Sequence, residues 1–186
     1  CTELAEISRK YGGKRRTEII SEQHVEEVTE ESFIEDYNVR MFLTSQGYIK
    51  KISLISLRSS GEQKLKEDDF ILQEAETHNK AELLLFSDKG VVYKLRIHEL
   101  ADSKASMLGD YLNNILNLEA EEKIIKMFAT DHYEGHFLFA YENGKMAKIP
   151  LSSYATKTNR KKLANAYSLE SPLIDIFFLG EDRDFA

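Results

Sequence analysis

One cysteine, at position 1, is all the thiol chemistry this 186-residue chain has. No internal disulfide framework is possible, and a reducing cytoplasm suits such a composition. No stretch approaches the roughly 20 apolar residues that a membrane-spanning helix needs. The sequence opens without an initiator Met and without a signal-peptide pattern, so it reads as a segment cut from a longer protein. No Gly-rich loop precedes a helix, so a nucleotide site is not expected. The five histidines offer no metal-ligand spacing. His132 and His136 are four apart, but a turn around Gly135 separates them and no Cys or carboxylate stands at ligand spacing nearby. No nucleophile–base pair is visible, so no catalytic residue is assigned and no cofactor is expected in this segment.

Positive charge is absent from one long stretch. Between Glu18 and Asp36 the carboxylates are Glu18, Glu22, Glu26, Glu27, Glu30, Glu31, Glu35 and Asp36, without a Lys or Arg among them. The chain carries −7 overall, and that stretch alone carries −8, which leaves the remainder at +1. The body of the chain can therefore still present a basic face. Hydrophobic residues make up 42%, enough for one well-buried domain of this length.

What the chain has is a phrase written three times. Phe42 to Leu54, Leu85 to Ile97 and Phe139 to Leu151 each hold an apolar run, a turn glycine (Gly47, Gly90, Gly144), a second apolar run, and a lysine four residues past the glycine (Lys51, Lys94, Lys148). Apolar residues follow three and six positions after each lysine, the latter being Leu57, Leu100 and Tyr154. Repetition of this kind marks arrays in which one unit cannot bury its own apolar face.

Leu4, Ile7 and Tyr11 form one helical stripe, ended by Gly12-Gly13. Hairpins are predicted over Val39–Thr44 with Tyr48–Leu54, Glu82–Ser87 with Val91–Ile97, and His136–Tyr141 with Lys145–Ile149. Further strands are predicted at Phe70–Glu76, Lys123–Thr130 and Leu173–Leu179, and a short one near Arg16–Ile20. Phe42, Phe86, Phe128, Phe139, Phe177 and Phe178 are assigned to the core. The organisation expected is a helix end at 1–13, an acidic connection at 14–37 with Val25, Val28, Phe33 and Ile34 as weak anchors, and a repeat body at 38–186. Within the body, repeats are expected near 39–66, 68–118 and 122–170, with a further one starting at 171–186. Three repeats are too few to close a wheel of about four to eight blades.

Two phrases resemble one family. Tyr11-Gly12-Gly13-Lys14-Arg15-Arg16-Thr17-Glu18-Ile19 resembles the segment that leaves the breakage-and-reunion region of bacterial type II topoisomerase A subunits. Leu43-Thr44-Ser45-Gln46-Gly47-Tyr48-Ile49-Lys50-Lys51 is similar to the first blade of the same subunits' C-terminal domain, in DNA gyrase and topoisomerase IV. The resemblance implies an all-β, propeller-like β-pinwheel of repeated four-stranded blades, partial here and preceded by a short helix. It implies a non-catalytic domain whose outer rim binds and bends double-stranded DNA, within an ATP-dependent isomerase. The partners implied are the rest of the A subunit, plus the ATPase B subunit. ATP and Mg2+ would act elsewhere in that assembly, which is cytoplasmic and nucleoid-associated. Gyrase carries a basic Gln-Arg-Arg-Gly-Gly-Lys-Gly box after its first hairpin. Here that loop, Arg58 to Asp69, lacks the Arg-Arg-Gly-Gly core and has gained acids, which favours a topoisomerase IV-like role.

Wrapping DNA without reading its sequence is a phosphate problem, met by Lys and Arg that release counterions. The recurrent Lys51, Lys94 and Lys148 are candidates, with Lys50, Arg96 and Lys145 beside them. Arg58, Lys64 and Lys66 occupy the loop after the first hairpin. Lys157, Arg160, Lys161 and Lys162 occupy the same place after the third. A lysine near a strand end is also a common edge guard. The competing assignment is a propeller-like module that binds protein and has no DNA role.

Overall fold

The computed structural model describes residues 2–12, 33–156 and 161–180. The chain divides into two compact units, 1–33 and 34–186. In the first, α1 (Thr2–Tyr11) ends with Arg9 and Lys10 in its last turn, where the helix dipole favours cations. It exposes Ile7 and Tyr11. The strand predicted near Arg16–Ile20 and the anchors Val25 and Val28 lie outside the described residues.

The second unit holds three antiparallel sheets. Their hairpins are β1 (Asn38–Thr44) with β2 (Tyr48–Ser53), β4 (Glu82–Ser87) with β5 (Val92–Arg96), and β8 (His136–Tyr141) with β9 (Met146–Pro150). All three turns are built alike. Gly47 N–H donates to Thr44 O at 3.1 Å, Gly90 N–H to Ser87 O at 3.3 Å and Gly144 N–H to Tyr141 O at 3.0 Å. The glycines sit at φ +83°, +70° and +76°, a region that Cβ-bearing residues rarely enter. The strands β3 (Ile71–His78), β7 (Ile124–Thr130) and β11 (Leu173–Leu179) each stand at one end of a sheet and pair with β1, β4 and β8. Apart from the short one near Arg16–Ile20, the predicted strands are thus found, with ends within about two residues.

The chain order and the sheets do not coincide. The first sheet runs β3-β1-β2-β6, and β6 (Asp110–Tyr111) arrives only after the second hairpin. The second runs β10-β5-β4-β7, and β10 (Lys162–Leu163) arrives only after the third. Each of these hairpins receives its outer strand from the next unit along. The third sheet, β11-β8-β9, has no strand beside β9 among the described residues. Two short helices, α2 (Leu54–Arg58) and α3 (Leu112–Leu116), follow β2 and β6.

Alternation along β4 builds two cores from one strand. Leu83 and Leu85 face the first sheet and pack with Val39, Met41, Leu43 and Met127. Leu84 and Phe86 face the third and pack with Phe137, Phe139, Tyr154 and Tyr167. Period-2 geometry makes such a two-faced strand apolar throughout. Phe86 touches five rings, with centroids between 5.2 and 6.4 Å. Of the aromatics assigned to the core, Phe42, Phe86 and Phe139 are buried and Phe128 partly so. Phe177 and Phe178 are not: they remain 48% and 50% exposed. The Phe178 ring meets Phe137 with centroids 6.0 Å apart, yet about half of each side chain faces solvent, so apolarity alone misplaced them.

Polar side chains also join the sheets. The Gln73 amide of β3 donates to Met127 O at 2.6 Å and accepts from Met127 N–H at 2.9 Å on β7. Lys126 on β7 pairs with Asp175 on β11 at 2.6 Å. His78, at the end of β3, contacts Asp36 at 2.9 Å through Nδ1 and Asp131 at 2.6 Å through Nε2.

Candidate nucleic-acid interface

The cations read from the sequence separate into three groups. The first is buried. Lys50 on β2 is 1% exposed. Its Nζ donates to Lys64 O at 2.6 Å and to Gln63 Oε1 at 3.3 Å. Burial lowers its pKa, partly opposed by Asp69. Lys51 is 4% exposed and pairs with Asp102 at 2.9 Å. It also donates to Asn79 Oδ1 at 3.1 Å and lies 5.8 Å from the Tyr37 ring centre. Tyr37 O–H donates to the same Asp102 carboxylate at 2.8 Å. Burial first, and that bond second, push the Tyr37 phenol up to about 12.

Lys94 repeats the pattern on β5. It is 8% exposed, pairs with Glu82 at 3.5 Å, donates to Thr156 Oγ at 3.3 Å and lies 4.8 Å from the Tyr133 ring centre. Tyr133 O–H in turn donates to Glu82, and burial followed by that bond raises its pKa. A buried ammonium is tolerable only when paired and hydrogen-bonded. Lys50, Lys51 and Lys94 are therefore anchors of the fold, and the expectation that they contact phosphate is corrected. The repeated spacing identified an environment that Lys51 and Lys94 share, and it is interior, whereas Lys148, the third copy, is exposed.

The second group is exposed, apart from Arg96. Arg58 ends α2, and Lys64 and Lys66 stand on the loop after it, with Lys66 5.9 Å from the Tyr48 ring centre. Lys145 and Lys148 stand on the third hairpin, where Lys148 has an interaction partner, and Arg96 on β5 is half-buried and likewise engaged. The third group lies at β10. Lys161 pairs with Glu99 at 2.8 Å and Lys162 with Glu119 at 2.9 Å. Lys162 also lies 5.6 Å from the Tyr93 ring centre. The bond to Glu119 raises its pKa. Exposed pairs of this kind are weak and can be exchanged for other anions. Lys157 and Arg160 lie outside the described residues.

The partners Asp102, Glu82, Asn79, Tyr37 and Tyr133 were not anticipated. One signal for them was present. Asp102 and Thr156 each stand eight residues past a recurrent lysine, Lys94 and Lys148, and each binds the preceding copy's lysine.

A cavity of about 450 Å³ between the first turn and residues 118–124 has Glu119, Glu121, Glu122 and Lys123 in its lining. Burial opposes ionisation of Glu122, yet bonds from Ser87, Glu119 N–H and Tyr93 outweigh it and hold its pKa below the usual range.

The family model described as "DNA gyrase C-terminal domain, beta-propeller" matches residues 41–73 and 81–131. The chain is similar to the C-terminal domains of type II topoisomerase A subunits. The A subunit of Staphylococcus aureus DNA topoisomerase 4 is 28% identical over 187 residues, 97% of this chain and 23% of that protein. The chain thus spans about a quarter of the length of these curated relatives. The crystal structure of a topoisomerase IV C-terminal domain superimposes with a TM-score of 0.68 at 29% identity, covering 79% of this chain and 47% of that one. The E. coli ParC C-terminal domain superimposes with a TM-score of 0.61 at 14% identity, covering 78% of this chain and 58% of that one, a likeness of fold. The antiparallel sheets of the described residues fit the beta-propeller that the family model's description names.

Proposed function

We infer that this chain is a non-catalytic DNA-binding and DNA-bending element of an ATP-dependent type II topoisomerase A subunit. It works beside the remainder of that subunit, together with an ATPase B subunit, in the bacterial cytoplasm close to the nucleoid. The observation that carries this reading is the similarity over 97% of the chain, joined to exposed cations on successive outer loops. Arg58, Lys64 and Lys66 flank the first sheet, and Lys161 and Lys162 the second. Cations at the edges of stacked units can meet a duplex at several places along its backbone, and elastic bending of the duplex, costing about 1–6 kcal/mol, is offset by the added contacts. ATP and Mg2+ belong to other parts of such an assembly. The altered box loop supports a topoisomerase IV-like role over strong gyrase-type wrapping.

A mobility-shift titration with a random-sequence duplex tests this. The expected result is binding that weakens steeply with salt and does not depend on sequence. Absence of any complex at micromolar protein and low salt sinks the reading.

A second reading has one observation behind it. Lys161 and Lys162 are already paired with acids, so the second sheet's edge is close to neutral. A protein-binding scaffold would present such an edge. It is favoured if the chain ignores DNA.

A further inference from the structure

We propose that Lys64 and Lys104, contributed by two different repeats, form one phosphate-contacting pair on the first sheet, and that Lys50, Lys51 and Asp102 are its positioning residues. The proposal rests on the DNA-binding reading above and names where on this surface a duplex backbone is held.

Two loops cross β2 side by side. The first, residues 59–70, follows α2. The second, residues 100–109, follows the second hairpin and delivers β6. Lys64 N–H donates to Ala105 O at 2.7 Å, so the loops are joined next to Lys104. Both lysines are exposed. Beneath them, each loop is fastened to a buried ammonium. Lys50 Nζ holds Lys64 O at 2.6 Å. Lys51 Nζ holds Asp102 at 2.9 Å, and Ser103 N–H donates to Lys51 O at 2.7 Å.

Gly109 makes the crossing possible. At φ +87°, a Cβ there would stand 2.3 Å from Ile49 O and 2.6 Å from Lys50 Cγ. The Asp102 charge is paired with that of Lys51, and its carboxylate also accepts from the Tyr37 hydroxyl, so it is held by partners other than Lys104. A loop held at both its backbone and its acid presents its lysine at a fixed place. A pair of cations fixed in this way suits adjacent phosphates of one strand, whatever the bases.

The test measures binding of the whole chain to a random-sequence duplex as a function of salt, with unfolding midpoints recorded for every variant. Lys64→Gln and Lys104→Gln are each expected to weaken binding about three- to tenfold at low salt and to reduce the log–log salt slope by about 0.9. Lys89→Gln, at the far turn of the second hairpin, removes the same charge as a control. Asp102→Asn decides the positioning role by sign. Removal of an acid raises affinity for DNA if charge alone matters; it lowers affinity if the carboxylate holds the loop, and Asp102→Glu restores binding. Binding by Lys104→Gln equal to that by Lys89→Gln overturns the pair, while the DNA reading stands. Tighter binding by Asp102→Asn overturns the positioning role. No binding by the parent chain overturns both readings together.

Discussion

Lys94 and Tyr133 meet as cation and ring at 4.8 Å, and both bind the Glu82 carboxylate. The trio links β5, β4 and the segment after β7. Glu82→Gln leaves Lys94 in the interior without its counter-charge. The expected cost is about 2–3 kcal/mol, below the usual range for a broken buried pair because Glu82 keeps 27% of its side chain exposed. Tyr133→Phe keeps the ring and loses one hydroxyl bond, at about 1 kcal/mol. Urea unfolding with an unchanged m value checks both. Equal costs for the two variants contradict the ion-pair account.

Gly109→Ala is expected to cost well over 3 kcal/mol, or to unpair β6 from β2, because strained φ and a Cβ against Ile49 O act together. Gly144→Ala meets open space and carries only the positive-φ cost, about 1 kcal/mol. Gly61→Ala meets nothing within 4 Å and has no positive φ, so it is expected to be neutral. Thermal midpoints should fall in that order, and a Gly109→Ala midpoint near the parent's removes the case for a close crossing.

The His78 clamp gives a pH dependence of known sign. The bond to Asp131, opposed by partial burial and aided by Asp36, raises the imidazole pKa in the folded chain. A raised folded pKa adds stability that is complete below the unfolded value of about 6.5 and is lost as pH climbs through the folded one. The stability difference between the parent and His78→Gln should therefore shrink as the pH rises above the unfolded value of about 6.5. Chemical denaturation at several pH values measures it, and a constant difference shows that the clamp is not titrating.

Phe86→Ala empties the centre of the second core, where Phe86 is 0% exposed. The expected loss is about 3–5 kcal/mol. Ile55→Ala, at a side chain 81% exposed, should change stability by less than about 0.5 kcal/mol. Similar values for the two would mean that the ring cluster is loosely packed.

The strands and turns were legible because they rest on short-range rules. Asn143-Gly144 and the other turn glycines place the hairpins, and period-2 alternation places Leu83 and Leu85 opposite Leu84 and Phe86. The candidate site was legible only in part. The recurrence of Lys51 and Lys94 was visible, but their solvation was not, since a lysine by a strand end reads the same whether it guards an edge or anchors a distant acid. Phe177 and Phe178 show the converse: the pattern marks them as apolar, and only the sheet's neighbours decide whether anything covers them.

Sequence by itself determined the repeated unit, its turns, its strands and its kinship, because each is written within about a dozen consecutive residues or in their recurrence. Tertiary structure decided which cations reach solvent. The outer strand of each of the first two sheets comes from the following unit, so Lys51 meets Asp102 and Lys94 meets Thr156 only once the chain has folded back across itself. A buried ammonium is set by what surrounds it in space, and those surroundings come from residues far away along the chain.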